Sequence, residues 1–304
     1  MKSKILLLTP LMPEIESALD AAFDVIRFPH DRKDLGDLQP HAAAIAAIVT
    51  GGVEGVPPPI MAALPQLKII AINGVGTDAV DLKEAERRMI KVATTQGVLT
   101  DDVADLAMGL IIACLRQVCV GDRFVRQGAW AEGETMSLAH KVSGKKLGIY
   151  GFGKIGQAIA RRAQAFAMPI KYTDLQPISG FEQDFEKNLE KLAGWADILV
   201  VAASGGPGSY HTVNRAVLEA LGPQGVLVNI ARGSIVDEPA LIAALQEKRL
   251  GGAGIDAFEH EPFVAEALFA MPNIVLQPHR ASATVETRLE MGRIVIENLK
   301  SVLT

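Results

Sequence analysis

Apolar residues along this chain alternate between two rhythms. Short runs at Lys4 to Leu8, Phe23 to Phe28, Ile45 to Val49, Leu67 to Ile72 and Lys91 to Ala93 are bounded by turn residues. Runs of that length predict buried strands, and the helical spacing of Pro13 to Ala22 predicts a helix between the first two. Alternating βα units predict a parallel sheet covered on both faces. Asp101 to Val120 predicts one long apolar helix, capped by Thr100 or Asp101. A second series follows, with strands at 146–150, 169–173, 197–202, 225–230, 253–256 and 273–277 and helices at 155–167, 214–221 and 238–247. The last helix, Thr284 to Val302, carries Leu289, Ile294, Ile296 and Leu299, which need a partner surface. It is expected to pack back onto the first series.

A chain of 304 residues exceeds the usual size of one core, so two domains are expected. Both read as α/β, two Rossmann-like doubly wound parallel-sheet domains. Residues 1–98 and 284–304 form one, and residues 99–283 form a dinucleotide-binding Rossmann domain inserted into it, with a cleft between them. Composition changes this picture little. Hydrophobic residues make up 49% and aromatics 5%, which predicts an aliphatic core. A net charge of −5 without a long basic run argues against nucleic acid and anionic membrane as partners. Cys114 and Cys119 share one apolar helical stretch and form no disulfide framework. Without a signal peptide or an apolar run near 20 residues, the chain reads as cytoplasmic. No metal site is expected.

The candidate chemistry begins at Gly151-Phe152-Gly153-Lys154-Ile155-Gly156. A G-x-G-x-x-G match is weak alone, but here a strand ending at Tyr150 leads in and Ile155, Ile159, Ala163 and Phe166 follow at helical spacing. In that context the first glycine allows the tight turn, the second admits a pyrophosphate, and the third packs helix on strand. The helix N-terminus then offers free N–H groups to phosphates. A ribose-binding carboxylate is expected about 20 residues further on, where Asp174 stands, followed by Leu175 rather than an arginine. That favours NAD over NADP.

Three residues follow three successive strands: Arg232, Glu261 and His279. Ligands in open α/β sheets bind outside the carboxyl ends of strands. A guanidinium there can grip a substrate carboxylate and polarise a carbonyl, and an imidazolium can donate a proton. A carboxylate can orient the imidazole. Each residue also has a structural reading, as a loop ion pair, an exposed acid or a helix-capping histidine. His260 competes for the acid-base role, while His211 reads as structural or peripheral to an adenine site.

The chain resembles the D-2-hydroxyacid dehydrogenase family over nearly its full length. The resemblance rests on Gly151 to Gly156, on Val228 to Gly233 with Val236-Asp237-Glu238, on Asp256 to Pro262, and on Pro278-His279 with Ala281 to Thr284. It implies Arg232, Glu261 and His279 as the catalytic trio and Asp256 as the holder of the nicotinamide carboxamide. Ala203, Ser204, Ile230 and Ala231 would join the cofactor contacts, and Val75 and Gly76 of the loop Gly74 to Asp78 would receive the substrate carboxylate. It also implies a flavodoxin-like substrate domain and a homodimer with an arm near Phe124 to Val142. Within the family, Val201 to Gly208, Gly128-Ala129-Trp130 and Val285 to Arg288 look like glyoxylate and hydroxypyruvate reductases. Alternative readings are a non-catalytic NAD-sensing corepressor-like scaffold of the same fold and a phosphoglycerate dehydrogenase-like enzyme.

Overall fold

The computed structural model describes residues 2–29 and 35–303. They form two compact units, one made of the residues up to Leu99 and those from Ser282 onward, the other running from Thr100 to Ala281.

The first unit runs β1 (Lys4–Leu7), α1 (Pro13–Ala22), β2 (Asp24–Arg27), α2 (Gln39–Ala42), β3 (Ile45–Gly51), α3 (Pro58–Ala63), β4 (Ile69–Asn73), α4 (Leu82–Arg87) and β5 (Lys91–Ala93). Its strands pair in parallel in the order β2-β1-β3-β4-β5, the flavodoxin-like arrangement. Ile5, Leu7, Ala47, Val49, Ile69 and Ala71 belong to one core, and Leu6, Ile48, Ile70 and Ile72 to the other. Successive strand residues face opposite sides, and both sides are buried, so these strands read as continuous apolar runs.

The final helix of the chain closes the first of those cores with Val295, Ile296 and Leu299. Near its end Ser301 accepts a hydrogen bond from Lys91 at the start of β5, and the Leu303 carbonyl accepts from Ser3 just before β1. The helix therefore runs antiparallel to the strands, and its first turns lie at their carboxyl ends.

The second unit runs α5 (Thr100–Leu115), α6 (Val118–Arg126), β6 (Leu147–Tyr150), α7 (Lys154–Gln164), β7 (Ile170–Thr173), α8 (Leu189–Trp195), β8 (Ile198–Val201), α9 (Arg215–Leu221), β9 (Val226–Asn229), α10 (Glu238–Gln246), β10 (Gly252–Ile255) and β11 (Ile274–Leu276); the final helix of the chain is α11 (Val285–Leu303). All six expected strands are present, parallel, in the order β11-β10-β9-β8-β6-β7. Phe185 adds a single parallel bridge to Tyr172 on the outer side of β7. With that remnant counted as a strand, the sheet has the Rossmann reversal between β6 and β8.

One expected element breaks in two. Gln117 takes a left-handed conformation (φ 55°, ψ 37°), and α6 leaves α5 at 60°. Burial explains the break. α5 packs Val103, Ala104, Ala107, Met108, Leu110, Ile111 and Leu115 inward, whereas α6 buries nothing. The apolar spacing of the sequence runs on past Leu115, but the surface it packs against does not. Gly254 of β10 lets α5 lie close, since a Cβ there would sit 3.0 Å from Leu110. Arg162 of α7 pairs with Asp101 and Asp105 on α5. Among the described residues no single helix is long and apolar enough to cross a membrane.

Candidate active site

The three glycines after β6 have three different physical reasons. Gly151 holds φ +93°, and a Cβ there would run into the backbone of Ala203 beyond β8. Gly156 would drive a Cβ into the Gly151 carbonyl oxygen, so its bareness lets α7 start directly over the turn. Gly153 has nothing within 4 Å of its Cβ position and is exposed. That open approach, with the unpartnered first N–H groups of α7 at Lys154 and Ile155, suits a pyrophosphate. The residues present therefore fit a dinucleotide.

Phe152 and Asp174 do more for the turn than the sequence shows. Phe152 is 1% exposed, and its ring stacks on Tyr172 at 4.0 Å and meets Phe181 edge-on. Its N–H donates to Asp174 Oδ2 at 2.7 Å, while Asp174 Oδ1 accepts from Leu175 N–H at 2.7 Å. Phe152, expected to contact the nucleotide, is thus a core residue whose amide is engaged inside the protein. Asp174 stands at the end of β7 as expected and keeps further lone pairs for other donors. At the other side of the turn, the Ser204 carbonyl accepts from the Ser209 hydroxyl. The Ala231 N–H donates to Asn229 Oδ1, and Ile230 is buried.

The structure brings Glu261 and His279 together. His279 Nδ1 lies 2.8 Å from Glu261 Oε1 and 2.7 Å from Oε2, and the Phe258 N–H donates to the same carboxylate. Among the described residues Nε2 of His279 meets no protein partner, so it is the nitrogen free to face a ligand. Burial pushes the Glu261 carboxyl up. The hydrogen bond and charge of His279, the Phe258 amide and the nearby Arg232 charge more than reverse this, and it lies below the usual carboxylate range. Arg232 donates to the Ala231 carbonyl at 2.9 Å.

Asp256 has a structural task that the sequence did not show. It is 1% exposed, and its two oxygens accept from the N–H groups of Arg280 and Ala281 at 2.8 and 2.9 Å. Its carbonyl accepts from the His279 N–H. These three bonds pin His279 at φ +46°, a left-handed conformation that strains a non-glycine residue by about 1–3 kcal/mol. Asp256 thus positions the histidine, and each of its oxygens, holding one amide, keeps a further lone pair for another donor. Burial raises its carboxyl above the ordinary value, partly offset by those amides. The two acids act oppositely on stability. Glu261, depressed, contributes fully above its unfolded value of about 4.3 and loses this as pH falls through its lower folded value. Asp256, raised, penalises the fold once pH has climbed through its higher folded value.

Two residues without an assigned role tie the strand ends together. Asn229, 1% exposed at the end of β9, donates to the carbonyls of Arg232 and Ala257. His211 sends its N–H to the Ser234 carbonyl and its Nε2 to Glu259 at 2.7 Å, with Tyr210 stacked on its ring. It therefore joins the turn after Arg232 to the loop that carries Glu261. Its spacing held no sign of this, because both partners are distant in sequence. His260, the competing acid-base histidine, is exposed. Among the described residues no group of three or more His, Cys, Asp or Glu side chains gathers as metal ligands would.

In the first unit, the loop after β4 is shaped by close glycine contacts. A Cβ on Gly74 would sit 3.2 Å from Gly52, and one on Gly52 would sit 3.5 Å from Gly76. Thr95 holds the Gly74 carbonyl with its N–H and its hydroxyl. The N–H groups of Val75 and Gly76 donate to nothing among the described residues. Two adjacent free amides at strand carboxyl ends are donors available to an anion.

Comparison with known proteins agrees with this geometry. The family described as D-isomer specific 2-hydroxyacid dehydrogenase, NAD binding domain, matches residues 108–281. A 2-ketogluconate reductase of Gluconobacter oxydans (strain 621H) is 48% identical over 303 residues, covering 100% of this chain and 96% of its own. A hydroxyphenylpyruvate reductase of Plectranthus scutellarioides is 45% identical, covering 98% of this chain and 95% of its own. Among solved structures, an NADPH-dependent glyoxylate/hydroxypyruvate reductase of Sinorhizobium meliloti, in complex with NADP and malonate, aligns with a TM-score of 0.92 at 39% identity, covering 99% of this chain and 93% of that one. With a dinucleotide turn whose glycines each have a steric reason and a family match across most of the second unit, the chain belongs to the D-isomer specific 2-hydroxyacid dehydrogenases, NAD(P)-binding oxidoreductases.

Proposed function

We propose that the chain reduces small 2-keto acids of the glyoxylate and hydroxypyruvate class, with His279 as proton donor. The observation that carries this reading is the doubly bonded His279–Glu261 pair, whose Nε2 is left without a protein partner. When bound, the nicotinamide cofactor supplies the hydride. Glu261 stays ionised near neutral pH, holds the ring through Nδ1 and balances the imidazolium charge. Nε2 then donates its proton to the carbonyl oxygen as the alcohol forms. Arg232, anchored on the Ala231 carbonyl, grips the substrate carboxylate and polarises the carbonyl. The free amides of Val75 and Gly76 receive a carboxylate in the first unit. The three relatives above, each named a reductase, do not favour the non-catalytic scaffold.

NAD is the proposed nucleotide. Asp174 repels a 2′-phosphate, and Leu175 beside it is 97% exposed and offers no cation. One assay tests both readings: glyoxylate, hydroxypyruvate, pyruvate and phenylpyruvate, each with NADH and with NADPH. The expected result is highest kcat/KM for glyoxylate or hydroxypyruvate with NADH. Preference for NADPH overturns the reading of Asp174, and no turnover with any acid overturns the reaction.

The segment after α6 exposes Trp130 at 70% and Leu138 at 94%. Large apolar side chains left exposed are what an interaction surface offers, and these two support a homodimer paired through the arm. Light scattering is expected to give twice the chain mass, and a single-chain mass at micromolar concentration excludes the arrangement.

A further inference from the structure

We propose that Arg288 and Glu54 form a hydroxyl-binding subsite in the first unit, which takes the polyhydroxylated tail of a sugar-derived 2-keto acid. The proposal rests on the reading above, in which the chain reduces 2-keto acids and the Val75 and Gly76 amides receive a carboxylate.

Arg288 stands in the first turn of α11. Because α11 runs antiparallel to the strands, that turn lies at their carboxyl ends, the side on which open α/β sheets bind ligands. The residue is half-buried, yet among the described residues its guanidinium makes no hydrogen bond and no ion pair within 4.0 Å. Its nitrogens are not sealed from the surface, so they can reach a ligand. Burial lowers its affinity for the proton, and the Glu54 charge acts the other way. A half-buried cation with five unused donors is an expensive thing to keep for structure alone.

Glu54 supplies the complementary half. Its carboxylate folds back over Gly51 at the end of β3, in the space a Cβ would fill. It feels Arg288 but makes no ion pair with it among the described residues. On the next strand, Asn73 ends β4 directly before Gly74, and its side-chain oxygen is buried without a donor. The loops that carry these groups touch through Gly52, Gly74 and Gly76. One rim thus holds a cationic donor, an anionic acceptor and the two free amides.

A donor and an acceptor that do not satisfy each other are matched by a group that is both, which is a hydroxyl. A second carboxylate on the substrate would meet Glu54 as a like charge. An aromatic tail would desolvate both charges and pair neither, the kind of mismatch a polar site rejects strongly. The hydroxylated chain is the class that fits.

The test compares 2-ketogluconate, whose tail is a chain of hydroxyls, with glyoxylate, which has none. Arg288→Gln should lower the ratio of their kcat/KM values by at least about ten-fold, mainly by raising KM for the hydroxylated acid. Glu54→Gln should move the ratio the same way by a smaller factor. The melting midpoint of Arg288→Gln should be unchanged or higher, since a desolvated cation is removed. A structural arginine would give the opposite, a lower midpoint and equal losses for both acids. Calorimetric titration of the protein with 2-ketogluconate separates the two readings. Binding weakened by Arg288→Gln in a protein that turns over neither acid keeps the subsite and overturns the reaction. Glyoxylate turnover with an unchanged ratio, or losses that are equal for both acids, overturns the subsite alone.

Discussion

His279→Asn should lower turnover by at least about a hundredfold while leaving the fold intact, the usual scale for a lost general acid. Asparagine is the informative replacement because residue 279 is left-handed, φ +46°, a conformation asparagine tolerates better than most residues. The backbone bonds to Asp256 that pin the loop are then retained. Alanine would confound lost chemistry with a displaced loop. The loss should fall on kcat more than on nucleotide binding, because the imidazole acts on the reacting carbonyl and the dinucleotide turn lies on other strands. Glu261→Gln should cost less, and it should also change the pH profile. A neutral amide can still orient the ring but carries no charge to balance an imidazolium. Stopped-flow reduction across pH, with NADH affinity measured separately, reads all of these. Wild-type turnover in His279→Asn would remove the histidine from the mechanism.

The sequence showed the strands well and the ties between them poorly. All six strands of the second sheet and the five of the first were legible, because most are buried parallel strands that read as short apolar runs bounded by turn residues. The glycine turn was legible because a strand precedes it and an amphipathic helix follows. The break at Gln117 was not, since Val118, Cys119 and Val120 extend the apolar spacing and the loss of a packing surface leaves no mark on residue type. Nor were Phe152 as a core residue, Asp256 as the anchor of the histidine loop, or the tasks of Asn229 and His211. Each depends on a hydrogen bond or a ring contact across residues distant in the chain. Residue type and local spacing identify what a side chain can do, and topology decides which partner claims it.

Gly233→Ala is expected to be the most damaging substitution of a residue with no chemistry of its own. A Cβ at 233 would land on the Phe258 carbonyl and the Glu259 nitrogen, main-chain atoms of the loop that carries Glu261. Side chains can rotate away from an intruding methyl, but two backbones that leave the ends of adjacent parallel strands have far less freedom to do so. Overpacking of this kind costs about 1–3 kcal/mol, occasionally more, and this contact belongs at the upper end. The displacement is also specific. Gly233 directly follows Arg232, so pushing its turn away from residue 258 separates the guanidinium from the Glu261–His279 pair. The Asn229 bonds to Arg232 and Ala257 resist that separation and are strained with it. Gly153→Ala is the matched comparison, because an added Cβ meets nothing within 4 Å there. That variant should unfold in urea like the wild type and lose NADH affinity, since the methyl enters the space proposed for the pyrophosphate. Gly233→Ala should show the reverse pattern, an earlier urea midpoint with kcat reduced beyond what the unfolded fraction explains. Equal midpoint and equal kcat in Gly233→Ala would mean that the two strand ends are not rigidly coupled, and the placement of Arg232 would then need another cause.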